Sequence, residues 1–232
     1  MIEKVPQPNR FALQIRDLFR NESFHSRTIR VGKHDRIYTC GDRDEMIYCI
    51  ESGQVKLTLL SPEGKECLLA IHTAGDIFGE LCICGQSLRP DTATAMKEAT
   101  IRKMPYRTFL NLLRRESLLE GMVEYLAVRI SEQQQVIRTL ITTSSEPRLA
   151  ITLLRLGRRL GKTDLCNTCI NQKISHEELA GMVGTTRPRI GIFLKKFREL
   201  GMVELNQNRC LVIKEKEIKQ YLEKIAYGNG IM

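Results

Sequence analysis

Residues 175 to 202, SHEELAGMVGTTRPRIGIFLKKFRELGM, carry the side chains best suited to reading a polyanion that also has a sequence. Arg187, Arg189, Lys195 and Lys196 supply cations, Thr185 and Thr186 supply hydroxyls, and all follow a short glycine turn. Helical periodicity puts Ile190 and Phe193, at i and i+3, on the inward side and leaves the cations mostly outward. Ala180 falls where two crossing helices must approach closely, and Gly184 where the turn between them wants φ > 0. Thr185 or Thr186 can cap the second helix, and Pro188 lies in its first turn, where a missing N–H costs little. A basic helix of this kind suits the major groove of double-stranded DNA. The bland alternative is a helical hairpin with a solvated charged face; the joint spacing of Ala180, Gly184 and Ile190 stands against it.

The charge lies where this reading needs it. Residues 147 to 232 hold 16 Lys+Arg against 8 Asp+Glu, so this segment accounts for +8 of the +9 carried by all 232 residues. Such asymmetry argues for two domains with different partners. No apolar run approaches the ~18 residues of a membrane span, and MIEKVPQPNR lacks a secretion signal, so a cytoplasmic location with no membrane partner is expected. The eight cysteines then read as reduced thiols. His25, His34, His72 and His176 form no catalytic grouping, and no enzymatic chemistry is implied.

An α+β architecture must position the helix pair. Residues 11 to 20 read as a short amphipathic helix, and Thr28 to Met104 as short strands: MIYCI before Ser52-Gly53, QVKLTLL before Ser61-Pro62-Glu63-Gly64, ECLLAIH before Ala74-Gly75-Asp76. Val55, Leu57 and Leu59 alternate with Gln54, Lys56, Thr58 and Leu60, and several short strands at close spacing indicate a closed antiparallel barrel or roll. Leu119, Val123, Leu126, Ile130, Gln133, Ile137 and Leu140 then follow a/d heptad spacing, the stripe of a homodimer with Gln133 setting register, while Phe109, Leu112 and Leu113 pack on the roll. Thr142 to Pro147 break this helix. A helix from about Pro147 to Leu160, a short hairpin, the basic helix pair and the strands VEL and CLVIK around Asn206 to Arg209 complete the chain. The division expected is a sensor domain at 1–108, a dimerisation helix at 109–141, a hinge at 142–147 and a winged helix-turn-helix at 148–232.

Gly75-Asp76-Ile77-Phe78-Gly79-Glu80-Leu81 in the roll and Ile174 to Leu200 in the helix pair, with heptads between, resemble the cyclic-AMP receptor and fumarate-nitrate regulator (Crp-Fnr) family of bacterial transcription factors. The resemblance covers nearly the whole chain. It implies a cyclic-nucleotide-binding-like roll, a homodimer on a pseudo-palindromic site, RNA polymerase as a further partner, and an effector acting through the roll. By position, Arg187 matches the family arginine that reads guanine, with Thr186, Arg189 and Lys195 near phosphates or neighbouring bases. Pro188 stands where the family often has glutamate and Ile192 where it often has a second arginine, so a different half-site is expected.

The resemblance also places an effector pocket at Gly79, Glu80, Leu81, Asp91, Thr92, Gln133 and Gln134. Gly79 and Glu80 suit a ribose, but Asp91 stands where an arginine should meet the cyclic phosphate, a repulsion of about 1 to 4 kcal/mol at close range. Arg89, two residues earlier, is expected to point elsewhere or along a loop. Gln133 and Gln134 replace the expected Thr-Ser pair. These departures argue against cyclic AMP, and no cofactor is required by the reading. Cys82-Ile83-Cys84 resembles in position the Cys-x-His that ligates haem in one branch of the family, with Cys84 replacing the histidine; two small apolar residues on a barrel strand explain the pair equally well. Cys166 and Cys169 form a lone CxxC, short of a four-ligand zinc site, and no metal site is expected. Residues 1 to 39 contain no cysteine, against an N-terminal iron-sulfur cluster. The rival functions are a cyclic-nucleotide, haem or thiol-redox sensing module acting on a protein partner, and a thiol oxidoreductase using Cys166 and Cys169.

Overall fold

The computed structural model describes residues 10–21, 26–60, 66–164, 167–170, 174–207 and 210–228. Its contacts divide into two compact units, one through Glu132 and one from Gln133 onward.

The first unit begins with α1 (Arg10–Asn21), then runs β1 (Arg27–Val31), β2 (Arg36–Tyr38), β3 (Met46–Ser52), β4 (Gln54–Leu60), β5 (Glu66–Thr73) and β6 (Ile77–Phe78). A 3-10 turn at Glu80–Cys84, β7 (Thr92–Ala95), β8 (Ala99–Pro105), α2 (Tyr106–Arg115) and the start of α3 (Leu119–Thr142) follow. The strands form two four-stranded antiparallel sheets, β1-β8-β3-β6 and β2-β7-β4-β5, the roll expected from the alternating pattern. Alternation fails within β4. A bulge shifts the β4–β5 register between Leu57 and Thr58, so Thr58 turns inward while Leu59 is left 38% exposed, contrary to the period-two reading. The turn at Ser61 to Gly64 lies outside the described residues.

Amphipathic α1 lays Phe11, Ile15 and Phe19 into a core shared with Phe109, Leu112 and Leu113 of α2 and Met122 and Tyr125 of α3. Phe19 meets Phe109 at 5.7 Å between centroids, and Phe11 meets Tyr125 at 5.6 Å. Burying side chains of this size supplies roughly 1.5–3 kcal/mol each, enough to fix the start of α3 on the roll.

The second unit holds the end of α3, then α4 (Ser145–Leu160), β9 (Gly161–Asp164), β10 (Asn167–Ile170), α5 (His176–Val183), α6 (Arg187–Glu199), β11 (Val203–Leu205), β12 (Leu211–Lys214) and α7 (Glu215–Gly228). The two hairpins expected as separate features join in one sheet, β11-β12-β10-β9. The helix α7 was not read from the sequence. Asn208, Arg209 and Cys166 lie outside the described residues.

Candidate nucleic-acid interface and the interior of the roll

Ser175 opens α5 with a reciprocal capping box: its hydroxyl accepts from the Glu178 N–H at 3.1 Å, and the Glu178 carboxylate accepts from the Ser175 N–H at 2.9 Å. Gly184 ends the helix at φ 65°, a left-handed conformation that costs glycine little. Thr186 then takes the N-cap position of α6, and Pro188 its first turn, but the Thr186 side chain makes no capping bond. The inward stripe of α6 is Ile190, Leu194 and Phe197, with Phe193 only half-buried, which corrects the i, i+3 reading to i, i+4, i+7. Against it lie Leu179, Ala180 and Val183 of α5, all buried. The outward residues follow from this packing: Arg187, Pro188, Arg189, Ile192 and Lys195 are exposed.

Lys196, one of the cations expected to face the polyanion, also has a partner within the protein. Its Nζ lies 2.6 Å from Glu146 Oε1 at the start of α4, and the same oxygen accepts from the Tyr221 hydroxyl of α7 at 2.5 Å. Tyr221 also sets its ring edge-on to Phe197, with centroids 5.6 Å apart. One carboxylate thus ties α4, α6 and α7 together. Burial pushes the Glu146 carboxyl up, but the bonds from Lys196 and Tyr221 outweigh it and hold the group below the usual carboxylate range. A depressed folded-state pKa adds stability above the ordinary carboxylate range and loses it as pH falls through the folded value. Glu146→Gln is therefore expected to lower the melting point by the equivalent of about 1 kcal/mol at neutral pH, with the gap closing below roughly pH 4. A pH-independent gap in thermal melts would remove Glu146 from this role.

The last turn of α3 meets the helix pair. Arg148 donates to the Leu140 carbonyl at 2.6 Å, and a Cβ placed on Gly184 would lie 3.1 Å from the Leu140 side chain. The remaining heptad stripe is open. Val123, Ile130 and Ile137 are more than half exposed, Leu119 and Leu140 about 40%, Gln133 is exposed, and Leu126 is half-buried. Met122, Tyr125 and Arg129 face the roll instead, with Arg129 2.8 Å from Glu80 and both Arg129 and Tyr125 donating to the Ile77 carbonyl. The helix α3 therefore has a covered face and an uncovered apolar one.

Inside the roll the expectation for Arg89 is overturned. Arg89 and Asp91 precede β7 on a bent stretch of chain, and both turn inward, as does Ala93 on the strand itself. Arg89 is 3% exposed and donates to the carbonyls of Gly79 at 2.7 Å and Met46 at 2.5 Å. Its other neighbours are Asp44, whose Oδ2 lies 2.9 Å from Nη2, and the Tyr38 ring, 4.4 Å from the guanidinium carbon. Tyr48 donates to the same Asp44 oxygen at 2.6 Å. Asp91 is buried beside Tyr38, whose hydroxyl bonds it; burial raises the Asp91 carboxyl above its usual range despite that bond. The Thr92 hydroxyl accepts from the Cys40 N–H at 3.0 Å, while Leu81, Gln133 and Gln134 are exposed. Of the residues assigned to the pocket, only Gly79, Glu80 and Asp91 line this interior, and Glu80 is engaged with Arg129. A cyclic phosphate does not fit this arrangement: the guanidinium is committed to protein acceptors and a carboxyl lies next to it.

Cys82 is buried with its thiol pushed up to about 11, and Cys84 is exposed; both sit on the 3-10 turn, not on a strand as expected. Cys169 is half-buried on β10, 3.4 Å from the Asn206 amide. His72 is buried against Phe78, its Nδ1 3.7 Å from Asp76. Among the described residues no cluster of three or more His, Cys, Asp or Glu is placed to hold a metal, and no helix is long and apolar enough to cross a membrane.

Two family models match: the cyclic nucleotide-binding domain over residues 28–116 and the Crp-like helix-turn-helix domain over residues 147–220. The chain is 28% identical to the CRP-like cAMP-activated global transcriptional regulator of Mycobacterium tuberculosis over 76% of its own length and 79% of that protein's. It is 29% identical to the cyclic AMP receptor protein of Thermus thermophilus over 83% and 84%. Among solved structures, a mutant of CooA from Carboxydothermus hydrogenoformans superposes with a TM-score of 0.70 at 26% identity, covering 85% of this chain and 88% of that one. The chain belongs to the Crp-Fnr family of transcription regulators, with a cyclic-nucleotide-binding-type roll and a DNA-binding helix-turn-helix.

Proposed function

We propose that this regulator acts in the cytoplasm as a homodimer, reads a pseudo-palindromic duplex with one α6 in each of two successive major grooves, and has no enzymatic activity. The observation that carries the reading is α6 itself. Buried Ile190, Leu194 and Phe197 anchor one side, and Arg187, Arg189 and Lys195 stand exposed at its start and along its flanks. Residues 1–108 serve as sensor, 109–141 as dimerisation helix, 142–147 as the joint and 148–232 as DNA module; RNA polymerase is the further partner the family suggests. The signal entering the roll is not cyclic AMP, and haem has no ligand pair to recommend it. The internal Arg89 network supports a roll that holds its shape through its own side chains, so that dimer abundance or another effector sets the output. Selection from random oligonucleotides with the full chain should enrich a two-fold symmetric site. Arg187→Ala should lose about 1 to 3 kcal/mol on that site and relax one base position. Equal losses on selected and random duplexes would remove Arg187 from base reading.

A further inference from the structure

Ile192 is 65% exposed on α6, and its position makes that exposure informative. With Ile190, Leu194 and Phe197 inward, a rotation of about 100° per residue brings Pro188, Ile192 and Lys195 to the opposite side, with Ile192 between the other two along the helix axis. A lone exposed isoleucine needs no explanation on an ordinary surface. This one sits among Arg187, Arg189 and Lys195, with Lys196 beside it paired to Glu146, and no acidic residue occurs from Arg187 through Arg198. An apolar centre with a cationic rim matches a partner that is anionic at its edges and apolar in the middle. The major groove has that character wherever thymine places its C5-methyl group between two rows of phosphates.

We infer that Ile192 reads a thymine methyl group in each half-site, beside the base contacted by Arg187. The inference rests on the proposed DNA reading, and its chemistry is separate from that of Arg187: the first contact is apolar and needs a methyl group, the second is a forked hydrogen bond. Pro188, one turn earlier, extends the apolar strip.

The experiment uses the full chain and the duplex it selects. Each thymine of the selected half-site is replaced in turn by deoxyuridine, which removes only the methyl group, and affinities are measured by fluorescence anisotropy at fixed salt. For the wild type, one thymine position should lose about fourfold in affinity per half-site on replacement. Ile192→Ala should bind the thymine and uracil duplexes alike, Ile192→Val should retain most of the preference, and both variants should melt as the wild type does, because the side chain is outside the core. Indifference of the wild type to deoxyuridine at every position would overturn the inference, as would a selected half-site without thymine, or a methyl preference that survives unchanged in Ile192→Ala. A loss of dimer in sedimentation on Ile192→Ala would assign the patch to a protein contact and overturn it too. If selection enriches no sequence, the DNA reading itself fails, an outcome visible before any deoxyuridine is introduced.

Discussion

A chain with aspartate at both Val123 and Ile130 is expected to sediment as a monomer and to lose the symmetric DNA site. Both side chains lie on the uncovered face of α3, at 66% and 54% exposure, so the folded protomer gives up little when they are changed; surface substitutions of this kind usually stay within about 0.5 kcal/mol. The dimer is another matter. Two substitutions on each of two helices would bring four carboxylates into an apolar seam without partners, at several kcal/mol for each one desolvated. Monomers that still fold also lose the effective concentration that lets the second α6 find its half-site, a factor of roughly 10² to 10⁴ in affinity. Sedimentation and thermal melting together make the outcome clear. A surviving dimer with a normal melt would assign Val123 and Ile130 to solvent and leave the heptad stripe without a function.

Replacing Arg89 with alanine is expected to cost the roll about 3 kcal/mol or more, a large loss for a surface-remote polar residue. The substitution leaves Asp44 with only the Tyr48 hydroxyl and the Met46 N–H, takes a donor from the carbonyls of Gly79 and Met46, and removes the cation beside Asp91 and over the Tyr38 ring. Arg89→Lys should recover only part of the loss, since an ammonium cannot reach a carboxylate and two carbonyls with the geometry of a planar fork. Denaturant titration of the full chain measures both. The same wild-type preparation should show no rise in melting temperature with millimolar cyclic AMP, because a ligand that stabilised the fold would have to displace these bonds first. A concentration-dependent rise would refute the self-contained roll.

Periodicity and punctuation made most of the fold legible. The roll, the long helix with its two faces, and the turn at Gly184 each leave a local signature that needs no knowledge of distant residues. The bulge at Leu57–Thr58 does not: it depends on how β5 pairs, and β4 alone reads as uninterrupted alternation. Ser175 and Glu178, three residues apart ahead of an apolar run, carry a capping-box signature in the sequence itself. Arg89 lies ahead of β7 beside a bend that strand alternation does not describe, so no period in the sequence places it inside with Asp91 and Ala93. Its partner Asp44 is 45 residues away, and Glu146 meets Tyr221 across 75 residues, so both networks exist only after folding. Polar networks of this kind leave no period in the sequence, whereas apolar faces do.

The bond between Tyr221 and Glu146 gives the chain's tail a stake in events it never touches. Anything that unseats α7, a fused tag or a clipped terminus, withdraws one of the two donors from a carboxylate whose other donor is on the DNA-reading helix. The lysine then becomes the sole anchor of that oxygen, and the pitch of the helix in its groove would report on the integrity of α7.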